Sequence, residues 1–279
     1  MREKVNEFLD SLIAAHQIEE KKIPGFDLSR VVKPGIFLLA LLVLLSGVVR
    51  LFPEAIGVGA APGERKLPIY CVETDEPKIS LSFDAAWGNE DTAQILEILQ
   101  KHDVKVTFFM TGGWVENYPE DVKAILAAGH DLGNHSENHK NMSQISNADK
   151  KEELMEVHNK VKELTDYEMF LFRPPYGDYD NAVVEVAQDC GYYTIQWDVD
   201  SLDWKDYGVD SIIKTVTEHK HLGNGSIILC HNGAKYTAQA LDVMITTLKE
   251  KGYSFVPISE LIYKEKYHMN HEGRQIADQ

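Results

Sequence analysis

The sequence predicts an α/β fold, a nearly closed (β/α) barrel of about seven strands preceded by one transmembrane helix. Three observations carry this. From Ile69 onward, apolar strand-like runs alternate with amphipathic helical stretches, the pattern of a mostly parallel sheet with helices outside it. About seven such units suit a closed or nearly closed barrel better than an open sheet. Ahead of them, residues 35–49 form an uncharged apolar run, GIFLLALLVLLSGVV.

Residues 1–33 read as an N-terminal cytoplasmic segment. Val5, Phe8, Leu9, Leu12, Ile13 and His16 fall at helical spacing, a short amphipathic helix for the inner membrane surface or a partner. Residues 34–52 read as a transmembrane anchor. At ~1.5 Å per residue, positions 35–52 span about 27 Å, slightly short of a ~30 Å hydrocarbon layer. Arg50 can snorkel to the interface. The small residues Val58-Gly59-Ala60 offer a rival reading as a cleaved signal peptide. The leader is far longer than an ordinary signal n-region, so an uncleaved anchor is expected. Lys21, Lys22, Arg30 and Lys33 precede the span, against Arg50, Arg65 and Lys66 after it. That bias places the N-terminus inside and the large domain outside the membrane. Residues 53–68, rich in Gly, Ala and Pro, read as a linker.

The domain covers 69–263. Strands are expected over 69–73, 78–83, 105–110, 131–134, 169–172, 193–197, 226–230 and 254–257. Helices are expected over 91–101, 119–128, 148–164, 181–190, 210–220 and 238–251. Residues 264–279 read as a polar, frayed C-terminal tail. The formal charge of −16 argues against nucleic acid as a partner. Cys71, Cys190 and Cys230 are too few and scattered for a disulfide framework, so buried free thiols are expected.

Polar residues cluster where strands end. Asp84 follows one strand, His135 and His139 another, and Arg173-Pro174-Pro175-Tyr176-Gly177 a third. Asp198, Asp200, Asp203 and Trp204 follow Trp197, and His231 follows Cys230. Barrels place their chemistry at this end. If the backbone of Gly133-Asn134-His135-Ser136-Glu137-Asn138-His139 makes one helical turn, its two imidazoles face one divalent ion. Taken singly, each residue has an ordinary explanation: Asp84 a helix cap, Arg173 a surface ion pair, Trp204 plain core, His231 a satisfied core histidine. Together at one end of a barrel they point to a single site. A carboxylate pair drawn from Asp84, Asp198, Asp200 and Asp203 would instead suit a glycosidase. Asn134, Asn141 and Asn224 begin glycosylation sequons, read here as chance matches.

These residues resemble the polysaccharide deacetylases of carbohydrate esterase family four, over about residues 69–263 and with all five family motifs in order. The sporulation-type branch is suggested by Val72-Glu73-Thr74-Asp75 and by the run from Ser82 to Thr92, SFDAAWGNEDT. The resemblance implies a distorted barrel that removes acetyl groups from N-acetylated sugars with a divalent metal, zinc, cobalt or nickel. It implies that Asp84 is the catalytic base, His135 and His139 the metal ligands, and Arg173 the partner of the base. Tyr176 would help hold the substrate oxygen through its backbone N–H. Asp203 would support the catalytic acid His231, and Trp204 and Leu229 would line the acetyl pocket. One residue departs from the pattern. Ala85 stands where the family has a metal-ligating Asp. The expected activity is N-deacetylation of a cell-wall glycan, peptidoglycan in a sporulation context, by a single-pass membrane protein with its catalytic domain extracytoplasmic. The alternative is a catalytically impaired, membrane-tethered glycan-binding homologue.

Overall fold

The structure is a computed structural model that describes residues 65–278. The expected cytoplasmic segment, the anchor at 34–52 and most of the linker lie outside the described residues. Among the described residues, no helix is long and apolar enough to cross a membrane.

The chain runs through β1 (Cys71–Val72), β2 (Lys78–Ala85), α1 (Thr92–Lys101), β3 (Thr107–Met110), α2 (Gly112–Asn117), α3 (Pro119–Ala127) and β4 (Asp131–Asn134). It continues through α4 (Asn147–Thr165), β5 (Leu171–Phe172), α5 (Asn181–Asp189), β6 (Tyr193–Thr194), β7 (Val199–Asp200) and α6 (Val209–Thr217). It ends with β8 (Ile227–His231), α7 (Thr237–Glu250), β9 (Ser254–Phe255), α8 (Ile258–Leu261), β10 (Tyr267–Met269) and β11 (Arg274–Ala277).

The main sheet has the order β6-β5-β4-β3-β2-β8-β7, parallel throughout, with β9 joined to the start of β2. Both ends of that path belong to one stretch of chain, since β6 pairs with β5 and β7 with β8. The sheet therefore curls back on itself as a distorted barrel of seven parallel strands, broken at residues 195–198. Asp198 sits in the break. Its Oδ1 accepts from the Ile227 N–H at 2.8 Å and its Oδ2 from Ser226 Oγ at 2.9 Å. Burial pushes its pKa up to about 6 against those hydrogen bonds.

Strand alternation on β2 sets the whole layout. Ile79, Leu81 and Phe83 are fully buried in the outer core, with Ile95 and Leu99 of α1 and Leu241 and Ile245 of α7. Ser80, Ser82 and Asp84 take the opposite, inner face. A second cluster, including Phe109, Leu171, Ile195, Ile227 and Ile258, fills the barrel. Phe109 lies in register with Gly133. A Cβ at Gly133 would come within 2.5 Å of the Phe109 ring, so only glycine fits there.

Two expectations change. Residues 69–73 do not join the barrel ladder as a full strand. Ile69 makes a single parallel bridge to Ile195, while β1 pairs with β11 in a separate three-stranded sheet. The tail, read as frayed, supplies that sheet as the antiparallel hairpin β10–β11. Its polarity misled because the fully buried Gln275 uses its own amide: Oε1 accepts from Tyr263 N at 2.8 Å and Nε2 donates to Tyr263 O at 2.6 Å. Helix α2, not expected from the sequence, is started by Thr111, whose side chain accepts from the Trp114 N–H at 3.2 Å.

Candidate active site

Asp84 is the penultimate residue of β2, in register with His231 of β8 and Phe109 of β3. It caps no helix; Asp91 holds the N-cap position of α1. Its Oδ1 accepts from Arg173 Nη1 at 2.7 Å, and its Oδ2 lies 3.5 Å from His135 Nε2. Burial alone would raise the carboxyl's pKa. The Arg173 guanidinium, with His135 and His231 nearby, holds it below the usual carboxylate value instead. Arg173 is itself fully buried, not a surface residue. Its Nη2 donates to Ser82 Oγ at 2.9 Å and to the Gln196 carbonyl at 3.2 Å, and its guanidinium lies 4.2 Å from the centre of the Phe109 ring. The pair is thus fixed on three sides before any substrate arrives.

The histidine pair meets by a different backbone from the one expected. No helical turn forms between them; Ser136 and His139 adopt left-handed φ values of 64° and 53°. The two ring centroids lie 4.9 Å apart. His135 Nδ1 is 2.8 Å from the Arg173 carbonyl oxygen. A carbonyl only accepts, so Nδ1 carries the proton and Nε2 presents its lone pair towards Asp84. Burial lowers the His135 pKa to about 4, and that of His139 falls for the same reason. Both shifts favour the neutral imidazole, the form that ligates metals. Asn134, on the adjoining strand, is fully buried and donates to the Leu154 carbonyl at 2.8 Å and Tyr192 Oη at 3.0 Å. The folded chain offers no room for a glycan there.

His231 ends β8, and its Nδ1 lies 2.7 Å from Asp203 Oδ1. Asp203 Oδ2 accepts from the His231 backbone N–H at 2.7 Å and from Thr237 Oγ1 at 2.6 Å. Burial would depress the imidazole, but the Asp203 carboxylate outweighs it, and the His231 pKa is raised. Leu229 is buried two positions earlier on the same strand, in register with Ser82, and so shares the face of His231. Trp204 follows Asp203 directly and is half-exposed, with Lys205 Nζ 4.9 Å from its ring. Tyr176 has a left-handed φ of 60°, and its ring meets His139 edge-on at 4.5 Å. Asp200 ends β7, and its Oδ1 accepts from Leu202 N at 2.8 Å. The other carboxylates of the glycosidase reading are committed within the fold, Asp198 to Ile227 and Ser226 and Asp203 to His231 and Thr237.

Sequence reasoning missed Trp87. Its indole stacks on the His231 ring at 5.1 Å with an interplanar angle of 19°. Its place three residues after Asp84 was the available signal.

The divalent ion that the resemblance implies finds an incomplete donor set. His135 and His139 supply two neutral nitrogens. Among the described residues, no group of three or more His, Cys, Asp or Glu gathers as a metal site. Ala85, at the expected third ligand, ends β2 with a buried methyl group and offers no donor atom. Asp91 Oδ1 is held by Asn232 Nδ2 at 2.6 Å and the Gly233 N–H at 2.9 Å, which ties this carboxylate to the loop after β8. Catalytic zinc sites ordinarily use three protein ligands. The residues present do not complete such a site.

An α/β barrel with a buried Asp–Arg pair, a histidine pair and an Asp-supported histidine at one mouth defines a class of hydrolase scaffold. The chain matches the polysaccharide deacetylase family over residues 72–195. It is 34% identical over 205 residues to the peptidoglycan-N-acetylmuramic acid deacetylase PdaA of Bacillus subtilis, covering 71% of this chain and 76% of that one. It is 36% identical over 195 residues to the uncharacterized protein YlxY of the same organism, covering 70% of this chain and 60% of that protein's length. Among solved structures, it is similar to the CE4 family pseudoenzyme BA3943 from Bacillus anthracis, with 39% identity, a TM-score of 0.67 and coverage of 70% and 68% of the two chains. A mutant of that pseudoenzyme, described as having restored enzymatic activity, matches equally well in fold. The chain belongs to the polysaccharide deacetylase family, carbohydrate esterase family four.

Proposed function

We propose that this chain engages N-acetylated peptidoglycan glycan at the barrel mouth and is impaired as an N-deacetylase at its metal site. The observation that carries this is Ala85. It is buried and offers no donor atom, beside an Asp84–Arg173 pair and an Asp203–His231 pair that are both intact. A mouth that keeps its polar framework can still hold an acetylated sugar, with Leu229 and Trp204 as apolar walls for the acetyl methyl group. Similarity to both peptidoglycan deacetylases and a pseudoenzyme supports the same reading. Anchoring through residues 34–52, an extracytoplasmic site and a sporulation setting belong to this proposal.

A second reading, N-deacetylation itself, is favoured by the completeness of the two pairs. In it Asp84, kept ionised by Arg173, takes the proton of the attacking water. His231, aligned by Asp203, delivers a proton to the departing nitrogen.

One experiment separates them. The full chain and its Ala85→Asp variant are tested for acetate release from N-acetylated peptidoglycan fragments and for sedimentation with peptidoglycan, with added divalent ions or with chelator. The proposal expects wild-type sedimentation without release, and metal-dependent release from the variant. Metal-dependent release by the wild type, lost in His135→Ala, would establish the second reading. No sedimentation and no release from either would overturn both.

A further inference from the structure

A cleft of about 840 Å³ opens where residues 65–69, the turn from α5 into β6 and the β10–β11 hairpin meet. It shares no residue with the barrel mouth. That volume falls within the ~300–1,000 Å³ range of small-molecule sites. Ile69, Val184, Tyr193, Tyr267 and Met269 give it a largely apolar wall. Thr194 also lines it; the residue is 5% exposed, and its hydroxyl is buried without a hydrogen-bond partner. A buried hydroxyl left open is costly and is commonly completed by a ligand or water.

The charge of this cleft runs against that of the chain. The sequence carries 44 Asp and Glu against 28 Lys and Arg. Arg65, Lys66 and Lys264 nevertheless line the cleft, and among the described residues no acid does. Lys66 is shared with Glu185 at 3.1 Å, and His268 Nδ1 lies 2.7 Å from Asp278 Oδ1. Arg65 and Lys264 have no carboxylate partner among the described residues. Arg65 donates one N–H to Tyr179 Oη at 3.1 Å, and Lys264 Nζ lies 5.0 Å from the centre of the Phe170 ring. Two uncompensated cations beside an acid-free wall make a local positive potential in a chain of net charge −16.

We propose that this cleft binds a phosphate monoester, with Arg65 and Lys264 supplying the charge that holds the phosphate and the apolar wall taking the carbon body of the ester. The guanidinium offers paired N–H donors that match phosphate oxygens, and the ammonium adds a point charge. A carboxylate has two acceptor oxygens, whereas a phosphate monoester has three and nearly twice the charge, which suits two cations better. A soluble ester and the acylated form of the same ester, a lipid headgroup, share this chemistry. The site stands apart from the mouth, so it holds whether or not the mouth takes a glycan.

The test is calorimetric titration of the full chain, in nonionic detergent, with glycerol 3-phosphate, with dihexanoyl phosphatidic acid and, as a zwitterionic control, with dihexanoyl phosphatidylcholine. The same titrations are run on a double variant, Arg65→Ala with Lys264→Ala. The wild type is expected to bind a phosphate monoester saturably, one per chain, and about tenfold more tightly than the double variant does. Added salt should weaken that binding. Tighter binding of phosphatidic acid than of glycerol 3-phosphate assigns the lipid headgroup as the source, and equal affinity assigns the soluble ester. Both substituted residues are exposed, so the variant keeps its core, which circular dichroism and melting check. No saturable binding of either monoester, undiminished binding in the double variant, or equal binding of phosphatidylcholine overturns the site.

Discussion

One carboxylate fixes His231 at two points: Asp203 Oδ1 meets the ring Nδ1 at 2.7 Å, and Oδ2 accepts from the backbone N–H of the same residue, also at 2.7 Å. The side chain therefore cannot rotate without breaking the bond that orients it, and Nε2 is left to face the mouth. Because the His231 pKa is raised in the fold, the pair contributes stability that is fully present below the unfolded value of 6.5 and is lost as pH rises through the folded value. Asp203→Asn is expected to return the His231 pKa towards 6.5. The stability gap between wild type and variant should shrink as pH rises. Imidazole titration by NMR and urea melts at several pH values check both statements; an unmoved His231 titration would remove Asp203 from this role.

Arg173 and Asp84 share the barrel interior, so neither tolerates the loss of the other. Arg173→Met leaves a buried carboxylate unpaired and is expected to cost about 3–5 kcal/mol in urea denaturation at pH 7. The sign with pH is opposite to that of His231. The Asp84 pKa is lowered in the fold, so its contribution is present above the unfolded value of 3.8 and fades as pH falls through the folded value. The variant should lack that acid-side loss.

Ala85→Asp places a carboxylate where the structure has a buried methyl group. In chelator it is expected to destabilise the chain by about 1–3 kcal/mol. A divalent ion that joins the new carboxylate to His135 and His139 would bind the folded state only, and so raise the melting temperature. The comparison is a melting curve with and without zinc for wild type and variant. An equal zinc response in both would show that the third ligand is immaterial.

Gln275 bridges both backbone groups of Tyr263 from the hairpin. Gln275→Ala leaves that N–H and C=O buried without partners and is expected to cost about 1–3 kcal/mol. Proteolysis should then begin in residues 264–278. An unchanged melt would mean that the hairpin is held by its ladder to β1 alone.

The strand–helix alternation, the seven strands and the polar residues at strand ends were legible because they rest on local periodicity and spacing. Asp84, His135, His139, Arg173, Asp203 and His231 all stand at strand ends or in motifs legible in the sequence, and the structure brings them to one mouth. The substitution at Ala85 was legible too. Trp87 escaped because stacking on His231 depends on β2 lying beside β8 in register.

By itself, then, the sequence determined the layered α/β architecture, the order of the motifs and the missing carboxylate, all properties of residues near one another in the chain. The tertiary structure alone decided the rest. It broke the barrel at 195–198, recruited the tail as a partner for β1, and turned the histidine motif through left-handed residues instead of a helix. It also set Trp87 against the acid histidine. Each of these depends on hydrogen bonds and contacts between segments remote in sequence, whose pairing leaves no periodic trace in the chain.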